Sequence, residues 1–555
     1  MSDRTFATHQ IRRVIPVPTL WDFAALDTTA SVPARLPVPS AWELVPALHN
    51  YRGRARYTTR IRCGGNIRLS FGGVSFRARV LLDGNEIARH YGAFTAFETV
   101  VGRLPDGEHA LTVEVDNRFG EDSALHVPND YYSYGGITRP VVIEQLPDVF
   151  VERVGITTKR AADGWTADIS ATIRNLADED ASADVTLTLA GQTFTQTAHI
   201  PADSTAIIRI PDAHYADVTA WTPDTPALYA LRAEIREGNQ VLDDLIDRVG
   251  FRKISISGMD LLLNGEKLRL MGFNRHEEYG AFGCAVPLQA MAQDILMMKD
   301  MGCNCVRTCH YPNDPRFLDL CDEMGLLVWE EAHARGLQEE QMRNPNFMPQ
   351  TRQCVREMVA QHRNHPSIFI WGCLNECADN CDYGADCYRE VYALLHDLDA
   401  SRPMTAALLE RPGSLVYGDS DVVSVNIYPQ WYHNTPVAES LAQKLKEIRE
   451  HGGAGKPVII SETGAGGIYG YHDPLGESKW SEERQCTILR NQVEAVLKNP
   501  ACSGVFLWQF ADCRVTEEWA MHRPKTHNNK GVVDEYRRPK MSYAVVKELF
   551  QKQKG

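Results

Sequence analysis

Up to Phe251 the chain alternates apolar and polar residues in short runs with almost no helical periodicity. RARYTTRIR (54–62), NIRLSFGG (66–73), RARVLLDG (77–84) and HALTVEVDN (109–117) are separated by Gly, Pro and Asp turns, which predicts a jelly-roll-like sandwich over residues 1–150. WTADISATIRN, ADVTLTLAG, TAIIRIPD and LYALRAEIRE continue the period of two at the spacing of an immunoglobulin-like sandwich over 151–252. From 253 the pattern changes. Short apolar runs (RLMGFN, CNCVRT, LLVWEE, SIFIWG, MTAALL, VVSVNIY, PVIISE, GVFLWQF) now alternate with amphipathic stretches such as LQAMAQDILMMKDM and EERQCTILRNQVEAVLKN. Eight such units in 253–555 predict a (β/α)8 barrel rather than an open sheet.

A parallel barrel places its chemistry where the strands end, so the residues after each apolar run are the ones to inspect. SIFIWGCLNE runs straight into Asn375 and Glu376, and PVIISE ends on Glu462. A single glutamate after a strand is most often a loop residue. Strands four and seven, however, lie nearly opposite each other in an eight-membered ring, so both carboxylates face one mouth. Asn274-Arg275-His276, Arg307 to His310, Glu330-Glu331, Asn426-Ile427-Tyr428 and Trp508-Gln509 end five of the other runs. Two facing carboxylates, an aromatic floor at Trp508 and donors from His310, Asn375 and Tyr428 suit the hydrolysis of a glycosidic bond.

Composition narrows this reading without changing it. The chain's 555 residues, 44% of them hydrophobic, are enough for roughly three to four domains with their own cores. The balance of 58 basic against 72 acidic residues argues against a general nucleic-acid or anionic-membrane surface, so an anionic substrate needs a local cation. The first eighteen residues lack an apolar stretch of signal-peptide length, and a cytoplasmic location is expected. The fourteen cysteines fall mostly within barrel elements and read as reduced core thiols. Cys373, Cys377, Cys381 and Cys387 cluster without the C-x2-C knuckles of a zinc site, and neither a metal nor an organic cofactor is expected.

NRHEE (274–278), RTCHYP (307–312), CLNE (373–376) and ISETG (460–464) resemble the signature of glycoside hydrolase family 2. LDGNEIARHYGAFTAFE (82–98) and NDYYSYGGITRPV (129–141) resemble that family's first sandwich, so the resemblance covers nearly the whole chain. It implies a retaining mechanism with Glu376 as acid/base and Glu462 as nucleophile. HNNKGVVDEYRRPK (527–540) resembles the β-glucuronidase branch, where Asn528 and Lys530 would hold the sugar carboxylate. Asp130, Asn426, Tyr428, Trp431 and Tyr432 also match that branch. Two departures matter: the connection after Gly336 is short, which implies an open mouth, and Arg335 stands where glucuronidases carry a small apolar residue. The resemblance thus implies an exo-acting β-D-hexuronidase acting on galacturonides, glucuronides or both; the departure at Arg335, whose rigid fork suits an axial C4 hydroxyl and the uronate together, favours galacturonide. A β-glucuronidase proper, a β-galactosidase or β-mannosidase of the same architecture, and a non-catalytic sugar-binding protein remain open, and a homo-oligomer is expected.

Overall fold

The computed structural model describes residues 4–553, so the outermost ends of the first and last predicted domains lie outside it. The first unit is built on two long antiparallel strands, Arg54–Phe71 and Phe97–Asp116, whose register shifts around Gly65. Gly65 takes φ +66°, a conformation that suits glycine at such a bulge. Arg77–Leu82 and Val141–Leu146 flank the pair on opposite sides. Side chains alternate in and out along these strands, and Trp21, Trp42, Tyr57, Phe71, Leu111 and Val113 meet in one core.

The second unit stacks Val149–Ala161, Gly164–Asn175 and Thr205–Tyr215 against a four-stranded sheet of Ala181–Leu189, Gln192–Ile200, Tyr229–Glu237 and Gln240–Val249. Along Gly164–Asn175 every second residue is buried, as expected for a strand with one face on the core.

A three-stranded antiparallel sheet over Ile254–Leu268 leads into the barrel, and its Leu261 and Leu263 pack with Trp329, Phe369 and Phe506. The parallel strands are Leu270–Asn274, Cys305–Thr308, Leu327–Glu331, Ile368–Gly372, the pieces Met404–Thr405 and Ala407–Leu408, then Val423–Asn426, Val458–Thr463 and Gly504–Leu507. Each pairs with the next, and the last pairs with the first. The fifth strand is broken at Ala406: Met404–Thr405 pairs with the fourth strand and Ala407–Leu408 with the sixth. Strand residues are buried on both faces, so these segments open as apolar runs even where they close on Glu330-Glu331 or on Ser461, Glu462 and Thr463. A final helix, Met541–Gln551, which the sequence pattern did not single out, adds Val546, Leu549 and Phe550 to the barrel core. Among the described residues no helix is long and apolar enough to cross a membrane.

The first unit reaches the barrel mouth through residues 129–139. Tyr131 bonds His333 (3.0 Å), Asn129 accepts from Thr516 through its carbonyl (2.9 Å), and the Arg139 guanidinium meets Glu277 (2.6 Å).

Candidate active site

Arg307, the third residue of the second barrel strand, is the electrostatic centre of the mouth. It donates to Glu331 (2.8 and 2.7 Å), Asn274 (2.8 Å), Asn375 (2.8 Å) and Glu462 (2.9 Å). Burial pulls its pKa down, but the Glu331 and Glu462 carboxylates more than reverse that and keep it charged.

Glu462 lies near the end of the seventh strand with its side chain 5% exposed. One oxygen accepts from Arg307 and the other from the Tyr428 hydroxyl at 2.6 Å. Burial first, and then the Glu376 charge, push its pKa up to about 7 against the pull of Arg307 and Tyr428. Burial likewise pushes Glu331 up to about 7. These carboxylates share one field, and their titration belongs to the cluster.

Glu376 leaves the fourth strand through two residues in the left-handed region, Leu374 at φ +47° and Glu376 itself at φ +50°. Such conformations cost about 1 to 3 kcal/mol each and persist where the surroundings impose them. Here the Glu376 amide donates to Ala407 (2.9 Å) and the Asn375 amide to Ala334 (3.0 Å). One carboxylate oxygen of Glu376 accepts from Asn426 Nδ2 (2.9 Å) and the other lies 3.4 Å from Arg335 Nη2. Asn375 uses its oxygen on Arg307, and its buried Nδ2 has no partner among the described residues.

His310 Nδ1 contacts Glu331 (3.1 Å) and Arg307 (3.2 Å), while its ring stacks on Trp508 with centroids 5.1 Å apart. The Trp508 floor is therefore already covered on one face, and at 4% exposure it offers little open area. Burial holds the His310 imidazole well below its usual range, so it is neutral. The sixth-strand loop forms an aromatic wall of Tyr428, Trp431 and Tyr432, with Trp480 packed edge-on against Trp431. Tyr432 is the open member, 57% exposed.

Lys530 is 2% exposed, its Nζ donates to the Tyr432 hydroxyl (3.0 Å), and it faces the rings of Tyr428, Trp431 and Tyr432 at 5.3 to 5.9 Å. Asn528 donates to Asp130 (3.0 Å), while its own oxygen is buried without a partner among the described residues. Asp130 also receives Arg523 Nε at 2.7 Å. Arg335 donates to Asn129 (2.8 Å) and lies over Trp519 at 5.6 Å, as Arg523 does from its own position. Glu330 turns away to His362 (2.7 Å) and Glu331 is taken by Arg307, so the carboxylate beside Arg335 is Glu376.

Glu376, Glu462 and the eleven candidates for sugar contact thus lie together around this mouth, whereas Glu330, also named at a strand end, turns away from it. Sequence reasoning missed the anchoring role of Arg307, although it sits in the RTCHYP motif. It also missed Arg523 and Trp519, which belong to the loop EEWAMHRPK just before Asn528 and carry no periodic signal. The thiols of Cys373 and Cys377 point to the carbonyls of Thr405 and Asn375.

Two family models match the chain: "Glycosyl hydrolases family 2, TIM barrel domain" over residues 254–554, and "Glycosyl hydrolases family 2" over 149–252. A family 2 β-galacturonidase from Eisenbergiella tayi, solved with galacturonate bound, is 46% identical, with 99% of each chain covered and a TM-score of 0.97. A Bifidobacterium dentium β-glucuronidase, solved with coumarin-3-O-glucuronide, is 25% identical over 99% of each chain, with a TM-score of 0.87. A β-glucuronidase of Streptococcus agalactiae is 28% identical, with 87% of this chain and 84% of the relative covered.

Proposed function

The chain belongs to the glycosyl hydrolases family 2 and is a glycoside hydrolase, and from that premise we propose that it is a retaining, exo-acting β-D-hexuronidase with a preference for galacturonides. The observation that carries the uronide reading is Lys530. A buried ammonium without a counter-ion is costly, and among the described residues no carboxylate lies within 4.0 Å of it. A sugar carboxylate seated between Lys530 and Asn528 supplies the missing anion, with Tyr432 giving up its hydrogen bond as the substrate enters. The β-galacturonidase and β-glucuronidase relatives support the same substrate class.

In this mechanism Glu462 attacks the anomeric carbon as protonated Glu376 delivers its proton to the leaving oxygen. The glycosidic bond breaks and a glycosyl ester forms on Glu462. Water, deprotonated by Glu376, then attacks the same carbon and frees Glu462. Tyr428 and Arg307 hold Glu462 from both sides, which orients the attacking oxygen. The unpartnered amide of Asn375 is free to donate to a ring hydroxyl, and Asn426 orients Glu376. Asp130, Trp431, Trp508 and His310 shape the sugar pocket.

Lys530→Ala should lower kcat/KM on uronides about ten- to a hundredfold, the cost of one charge-assisted contact, while sparing neutral glycosides and the melting temperature. If activity and melting temperature fall together, the residue is structural.

Galacturonide and glucuronide differ only at C4, so selection needs a side chain near C4 and the carboxylate. The rigid fork of Arg335 suits an axial hydroxyl and a uronate together. A site built around that hydroxyl leaves donors unpaired when the epimer binds. Arg335→Ala is expected to erase most of the galacturonide preference. A wild type that prefers glucuronide, or a ratio unmoved by the substitution, assigns the selection elsewhere. The existing contact of Arg335 with Glu376 favours the second reading, β-glucuronidase proper, in which Arg335 only steadies the acid/base.

A further inference from the structure

Lys540, the last residue of HNNKGVVDEYRRPK, takes no part in the mechanism, yet its side chain is fully buried against that of Asp512. All three of its N–H donors are used: Nζ reaches Asp512 Oδ1 (2.7 Å), the Asn529 carbonyl (3.3 Å) and the Gly467 carbonyl. These acceptors stand on three separate segments. Gly467 lies in the loop after Glu462, Asp512 follows the eighth barrel strand, and Asn529 directly precedes Lys530. The Gly467 amide also donates to the Asn529 carbonyl (2.9 Å), and Asp512 Oδ1 accepts from the Gly531 amide (2.9 Å), so the chain is gripped on both sides of Lys530. The Gln509 amide holds the Lys530 carbonyl (3.0 Å), and Gln485 Nε2 the Gly531 carbonyl (3.0 Å). Among the described residues the Lys530 ammonium itself makes one hydrogen bond, to Tyr432. Its position is therefore set through its backbone.

We infer, resting on the role proposed for Lys530, that Asp512 and Lys540 are positioning residues: a buried strut that sets Lys530 at the distance from Glu462 that a bound hexuronide spans. The sugar is anchored at both ends, its anomeric carbon at Glu462 and its carboxylate at Lys530. A pyranose ring does not stretch, so the two anchors must keep one separation, and a misplacement of about 1 Å can cost about a hundredfold in rate. A buried ion pair contributes little net stability, because desolvation offsets the attraction, and Asp512 Oδ2 has no partner among the described residues. What the pair supplies is a fixed register between the loop of the nucleophile and the loop of the uronate's cation.

The test is a double-mutant cycle in the full chain, read on the nitrophenyl galacturonide, glucuronide and galactoside. Lys540→Met should lower uronide kcat/KM about tenfold relative to the galactoside, mostly through KM, because the carboxylate contact is made in the ground state as well as in the transition state. Lys530→Ala/Lys540→Met should be no worse on uronides than Lys530→Ala, since the strut acts through that one ammonium. Should Lys540→Met fail to fold because Asp512 is left buried and unpaired, Asp512→Asn/Lys540→Met removes both charges and is expected to show the same pattern. Equal losses on uronides and galactoside, losses that multiply in the Lys530 double variant, or no loss at all in a folded variant would make the pair merely structural and overturn the inference. If Lys530→Ala itself leaves the uronide-to-galactoside ratio untouched, the uronide reading fails first and the strut with it.

Discussion

Glu462→Gln should lose roughly 10^4-fold or more in kcat on every glycoside the enzyme accepts, the scale seen when a covalent catalyst loses its nucleophile. The amide keeps the shape of the side chain and accepts from Tyr428 or Arg307, but it cannot form the glycosyl ester. Folding should survive, because Arg307 retains its two bonds to Glu331. The melting temperature therefore separates lost chemistry from lost structure. In the wild type, a 2-fluoro uronide should leave a sugar on the peptide containing Glu462, detected by mass spectrometry. Turnover by the Glu462→Gln variant above a percent or so of the wild-type rate, or a label on another peptide, removes Glu462 from the nucleophile's role.

Glu376→Ala should act differently, and the difference identifies the acid. General acid catalysis contributes about 10^2- to 10^4-fold, and it matters most when the leaving oxygen is a poor one. An alkyl uronide should lose that whole factor, whereas a dinitrophenyl uronide should form the glycosyl-enzyme almost normally and then stall for want of a base. Azide, which needs no deprotonation, should restore turnover and yield a β-glycosyl azide. Equal losses on both substrates with no response to azide would exchange or void the assignments of the two glutamates.

What could be read from the sequence was decided by local physics. A barrel strand buried on both faces opens with apolar residues, so IFIWG and VII declare themselves, and the polar residues that close such a run or follow it stand at the mouth by topology alone. This makes Asn375, Glu376 and Glu462 visible. MTAALL looks equally continuous, but its break at Ala406 follows from a change of pairing partner between strands four and six, which no run of side chains encodes. Arg523 and Trp519 were illegible for a related reason. Their positions depend on Asp130, almost four hundred residues earlier in the chain, and on Arg335 across the mouth. Long-range pairs of this kind leave no period. The helix Met541–Gln551 has amphipathic spacing that could have been recognised, with Val546, Leu549 and Phe550 on its buried face.

Uronide specificity is the central claim, and it rests on Lys530. The most direct measurement is kcat/KM for the nitrophenyl β-D-galacturonide, glucuronide, galactoside and mannoside with one enzyme preparation. Both uronides should exceed both neutral sugars by about ten- to a hundredfold, the worth of one charge-assisted contact, with the galacturonide first. A galactoside or mannoside hydrolysed faster than either uronide would contradict the account.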